Sequence, residues 1–129
     1  MIQEIFIVET LQFKHFSYSL TPPRAEGGYY ASLEEARQSV ERLNPRVGLW
    51  VCISSLPLGV LNPEQQKQAL ELYEYIENEK GRGFRSCLEP RTPVERLIFK
   101  TLNIPHRKAQ PYSLIIARQQ NYQYLKKSS

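Results

Sequence analysis

The stretch Tyr29-Tyr-Ala-Ser-Leu-Glu-Glu-Ala-Arg-Gln-Ser-Val-Glu-Arg-Leu-Asn-Pro-Arg-Val-Gly-Leu-Trp-Val-Cys-Ile-Ser54 spells a capped helix, a stop and a buried strand in succession. Ser32 followed by Glu35 has the spacing of a capping box, in which the hydroxyl accepts the Glu35 N–H while the carboxylate reaches back to the Ser32 N–H. Leu33, Ala36, Val40 and Leu43 then fall on one apolar stripe, with Glu34, Arg37, Gln38, Glu41 and Arg42 on the other side. Asn44-Pro45 closes the helix, because a residue preceding proline is pushed out of the α region. Val47 to Ile53 is almost continuously apolar, which predicts a strand buried on both faces with Trp50 in the core.

Working outward, Ile2 to Glu9 and Phe13 to Leu20 read as strands, joined by Thr10-Leu11-Gln12 in an antiparallel hairpin, and Thr21 to Gly28 as a loop. Beyond the central strand, Ser54 to Leu61 is expected to be irregular. Asn62-Pro63-Glu64-Gln65 has the signature of a second helix start, and Ala69, Leu72, Tyr73 and Ile76 supply a stripe for that helix up to Gly81. Its end is peculiar, since Glu74, Glu77 and Glu79 crowd a terminus where the macrodipole favours cations. Thr92-Pro93-Val94-Glu95 opens a third helix with Val94, Leu97, Ile98 and Leu102 on its stripe, closed by Asn103 and Pro105. Tyr112 to Ala117 reads as a last strand, and residues 119–129 as a polar tail and a candidate for disorder. The expected architecture is a single α+β domain over residues 1–129. It is a mainly antiparallel sheet of about four strands with three helices, in the order ββαβααβ, packed on one face.

The formal charge of +4 conceals a division. Residues 1–80 carry seven Lys or Arg against eleven Glu, and residues 81–129 carry ten against two. The basic C-terminal half therefore suggests an acidic partner. All thirteen acids are glutamate, which argues against the rigid carboxylate ligation usual at Mg²⁺ or Ca²⁺ sites. The apolar run Ile5-Phe6-Ile7-Val8 is too short for a signal peptide or a membrane span, so the expectation is a soluble, cytoplasmic chain whose two cysteines stay reduced.

No catalytic constellation emerges. Cys52 lies in the predicted core strand and behaves there as a small apolar residue. Cys87 sits between Arg85 and Arg91, where positive charge could activate a thiolate, but no companion base is marked. His15 and His106 are isolated and lack the spacing of a zinc site. Glu71, Glu74, Glu77 and Glu79 read as a solvated helix face, and Gly81-Arg82-Gly83 lacks the strand and third glycine of a dinucleotide fingerprint. No catalytic residue, metal ligand or cofactor is assigned.

The remaining signal is basic. Arg82, Arg85, Arg91, Arg96, Lys100, Arg107 and Lys108 fall within twenty-seven residues, with Phe84 and Tyr112 available for stacking. The leading expectation is a small non-enzymatic accessory or adaptor protein that docks an acidic protein partner on this half. The alternative is RNA or single-stranded DNA, whose binders combine such charges with aromatic platforms. A third reading is an enzyme dependent on Cys87. A specific anion site is expected where Arg91, the Thr92 cap and Arg82 or Arg85 meet at the third helix, since a first turn presents free N–H groups. Glu95 would oppose it by filling the site with its own charge. In that case the arginines would answer Glu74, Glu77 and Glu79 instead.

Overall fold

The computed structural model describes residues 3–104. Six antiparallel strands form one sheet: β1 (Glu4–Lys14), β2 (Ser19–Leu20), β3 (Arg24–Tyr30), β4 (Leu49–Pro57), β5 (Gln68–Asn78) and β6 (Gly81–Ser86). Two α-helices accompany them, α1 (Leu33–Val40) between β3 and β4, and α2 (Pro93–Thr101) after β6. Across the sheet the order is β2-β1-β4-β5-β6, with β3 also paired to β1. Because β4 occupies one flank of β1 along Glu4 to Gln12, the short β2 and β3 share the other flank and make a broken edge.

This corrects the expectation of four strands and three helices in the order ββαβααβ, and the chain is mostly β. The largest change concerns the expected second helix. Only Pro63–Gln66 is helical, as one 3₁₀ turn whose Asn62 has left-handed φ and makes no side-chain cap, and Gln68 onward is β5. The spacing of Ala69, Leu72, Tyr73 and Ile76 imitated a helix because β5 buries residues on both faces: Leu72 contributes to one side of the sheet, and Tyr73 and Tyr75 to the other. The glutamates that fit a helix C-terminus poorly raise no such conflict on a strand, which carries no comparable net dipole. Gly81 is then no helix stop. It begins β6 after the two-residue turn Glu79-Lys80, in which Asn78 Oδ1 accepts from the Lys80 N–H at 2.9 Å.

Elsewhere boundaries shift. Thr10 to Gln12 lies inside β1, and the chain reverses at His15 to Tyr18, where Tyr18 takes φ 48°. The expected loop Thr21–Gly28 contains most of β3, and Ser54 to Pro57 continues β4. Gly27 is needed at its position, since a Cβ there would run into Val8 of β1. Gly48, at φ 91° just before β4, passes so close to β1 that a Cβ would meet Gln12 Nε2 and the Phe13 carbonyl at 2.5 Å. The expected strand Tyr112–Ala117 and tail 119–129 lie outside the described residues.

The order of the organising unit holds with shifted bounds: α1 stops at Val40 rather than at Asn44, and the buried strand starts at Leu49, leaving Val47 exposed. Ser32 Oγ accepts from the Glu35 N–H at 3.1 Å, although only this half of the capping box forms. Leu49 to Leu56 are all buried, and Trp50 is 1% exposed. The reason is that α1 and α2 cover opposite faces of the sheet rather than one. Ala36 and Val40 of α1 pack with Val8, Leu49, Val51, Ile53 and Tyr73. Ile98 and Phe99 of α2 pack with Leu11, Phe13, Trp50, Cys52 and Leu72. Alternate residues of β4 thus serve two cores, which is why its sequence shows no polar face.

Candidate functional site

The basic residues of the C-terminal half come from β6, the segment after it, and α2. Arg82 and Arg85 project from β6, Arg91 precedes the α2 cap, and Arg96 and Lys100 lie on exposed positions of the helix; all five are exposed. Arg107, Lys108, Tyr112 and His106 lie outside the described residues.

The capping box at α2 is complete. Thr92 Oγ1 accepts from the Glu95 N–H at 3.1 Å, and Glu95 Oε1 accepts from the backbone N–H groups of Arg91 at 2.8 Å and Thr92 at 3.3 Å. A side-chain carboxylate thus takes the donors that an external anion would need. Arg85 is likewise committed, with Nη2 at 2.6 Å from Glu74 Oε1 and 3.7 Å from Glu95 Oε2. Arg91 pairs with Glu89 at 2.9 Å. These groups surround a cavity of about 240 Å³ lined by Arg85, Ser86, Cys87, Leu88, Glu89, Arg91 and Glu95. The place of the expected anion site therefore holds its own counter-charges, two carboxylates among two guanidiniums. Glu74 answers Arg85 as anticipated, while Glu95 from the first turn of α2 also approaches Arg85, and Glu89 pairs with Arg91 two residues away.

Three cations remain. Among the described residues no carboxylate lies within ion-pair distance of Arg82, Arg96 or Lys100. Arg82 stands opposite Glu77 in the ladder without forming a pair, and Arg96 Nη1 donates weakly to the Arg91 carbonyl at 3.4 Å.

Phe84 is not a stacking platform. It is 6% exposed and packs edge-on against Tyr75, with ring centroids 5.4 Å apart, in the core under α1. Cys87 is buried in the other core, and its thiol donates to the Glu89 carbonyl at 3.6 Å. His15 lies on the β1–β2 hairpin, at the far side of the sheet from β6, with its ring edge-on to Phe13. Cys87 and His15 therefore stand apart, and the other histidine, His106, lies outside the described residues. Among the described residues no group of three His, Cys, Asp or Glu is arranged to hold a metal ion.

Two ion pairs that join a buried carboxylate to a partly exposed cation were not anticipated. Glu71, read as part of a solvated helix face, is 1% exposed beneath α1, where it accepts from Arg37 and from Tyr73 Oη at 2.7 Å. Partial burial alone would lower the Arg37 pKa, but the hydrogen bonds and charge of Glu71 outweigh it and raise the value above its ordinary range. On the other face Lys67 Nζ lies 3.1 Å from Glu9 Oε1 and 3.6 Å from Glu64. Burial pulls the Lys67 pKa down, and the hydrogen bond and charge of Glu9 more than restore it, so it too is raised. The sequence signal for Glu71 was its alternation with Tyr73 and Tyr75, legible only once the segment is taken as a strand.

Among the described residues no helix is long and apolar enough to cross a membrane. No family model matches the chain, and neither a curated protein nor a solved structure is found to resemble it.

Proposed function

We propose that this chain is a small non-catalytic binding protein that docks an acidic protein partner on the surface formed by β6 and α2. The observation that carries this reading is the division among its cations. Arg85 and Arg91 are neutralised internally, while Arg82, on the side of the β6 edge strand that carries Phe84, and Arg96 and Lys100, on α2 at its other side, stand exposed with no carboxylate partner among the described residues. Exposed charges of one sign steer an oppositely charged partner and set its orientation. Burial of Phe84 takes away one of the two aromatic platforms that favoured single-stranded nucleic acid, Tyr112 lying outside the described residues, and this weighs toward protein as the partner.

The test is affinity capture from the native host, with and without nuclease, using the wild-type chain and the variant R82Q/R96Q/K100Q. A protein retained after nuclease treatment by the wild type and lost by the variant supports the reading. Capture abolished by nuclease transfers the surface to nucleic acid, and equal capture by the variant removes these cations from any role.

A further inference from the structure

We propose that the partner adds an extended acidic segment as a new strand on the outer edge of β6. This rests on the docking reading above and specifies its geometry. The Cys87 N–H donates to the Leu72 carbonyl at 2.9 Å, and Tyr73 stands opposite Ser86. In an antiparallel ladder, hydrogen-bonded positions alternate, so Arg85, Gly83 and Gly81 face β5 with their backbone groups. The N–H and C=O groups of Arg82, Phe84 and Ser86 then point away from the sheet, where no described residue pairs with them.

The two edges of the sheet differ in their fitness for this. The β2–β3 edge is interrupted: β2 has two residues, and the pairing of β3 with β1 shifts register between Val8 and Thr10. Such breaks blunt an edge against pairing. The β6 edge runs without a register shift from Gly81 to Ser86 and contains no proline. Among the described residues its protection is charge alone, chiefly the exposed Arg82, since Arg85 is committed to Glu74 and Glu95. Positive charges on an edge repel a second copy of the same strand and admit an acidic one, which provides selectivity along with attraction. The contact of Glu95 with Arg85 holds the first turn of α2, and with it Arg96, beside this strand. Because Phe84 turns its ring into the core, the edge offers backbone hydrogen bonds and cations rather than apolar pockets. The fitting ligand is therefore an extended segment rich in Glu or Asp with few large apolar residues.

The probe is a short blocked peptide of alternating Glu and Thr, compared with the same peptide N-methylated at two adjacent central residues. Methylation removes hydrogen bonding on both of its edges and leaves its charge intact. The unmodified peptide is expected to bind about tenfold or more tightly than the methylated one, the effect of losing one to two backbone hydrogen bonds. It should also slow amide exchange at Arg82, Phe84 and Ser86. Equal affinity for both peptides, protection elsewhere, or binding of neither overturns strand addition. If the two peptides bind equally and R82Q/R96Q/K100Q weakens both, the docking reading stands without strand addition; if that variant also retains its captured partner, the docking reading falls as well.

Discussion

Arg37 of α1 grips Glu71 of β5 with two nitrogens, Nη2 at 2.7 Å from Oε2 and Nε at 3.1 and 3.2 Å from the two oxygens, while Tyr73 Oη donates to Oε1 at 2.7 Å. This contact pins the helix to the sheet, and it makes a one-sided removal costly. Arg37→Met leaves a carboxylate buried beneath α1 without its cation and should destabilise the fold by about 3–5 kcal/mol. Replacing both partners, Arg37→Met with Glu71→Leu, removes the stranded charge and should recover most of that loss. Denaturant titration of the single and double variants checks this; a double variant as unstable as the single would show that the pair contributes more than mutual neutralisation.

How far the fold could be read depended on whether local and tertiary signals agreed. At α1 the Ser32 cap, the Ala36 and Val40 stripe and Pro45 all point one way, and at α2 Thr92, Pro93 and Glu95 do the same. Between residues 62 and 80 they conflict. Pro63 and the glutamine and glutamate content favour helix locally, yet covering both faces of the sheet demands a strand through Leu72, Tyr73 and Tyr75. Helix propensity amounts to tenths of a kcal/mol per residue and gives way to burial of such side chains, about 1.5–3 kcal/mol for a large apolar one. The basic surface was legible as a cluster. Its division into paired and unpaired cations was not, because Glu74 meets Arg85 only through the β5–β6 register.

Trp50 lies in the α2-side core at 1% exposure, beside Leu11, Phe13, Cys52 and Leu72. Trp50→Ala should cost about 3–5 kcal/mol. The native emission should be blue-shifted and resistant to acrylamide, and emission resembling free tryptophan would contradict this packing.

The two helix caps should be separable. Ser32→Ala and Thr92→Ala each remove a hydroxyl acceptor and should each cost about 1 kcal/mol. Since neither hydroxyl bonds to Arg82, Arg96 or Lys100, and the Thr92 carbonyl that accepts the Arg96 N–H is kept, both variants should retain partner capture at temperatures well below their melts. An unchanged melt for Ser32→Ala would show that its bond to Glu35 contributes nothing net.

Lys67 has a raised pKa in the folded chain, so its pairing with Glu9 contributes stability that is complete below its ordinary value of 10.5 and is lost as pH rises through the folded value. The stability difference between the wild type and Lys67→Gln should therefore stay constant from neutral pH into the alkaline range and close above 10.5. Denaturation midpoints across an alkaline series report this directly, and a gap that persists to the highest pH would mean that the charge of Lys67 is not its source.

The division of the cations into internal counter-charges and docking charges is tested most directly by measuring melting temperature and partner capture side by side for R85Q/R91Q and R82Q/R96Q/K100Q. The expected result is a lowered melt with retained capture for the first, because Glu74, Glu89 and Glu95 lose their partners, and an unchanged melt with lost capture for the second. The reverse pattern, capture lost with R85Q/R91Q and kept with R82Q/R96Q/K100Q, would contradict the account and return the binding site to the cavity at the start of α2.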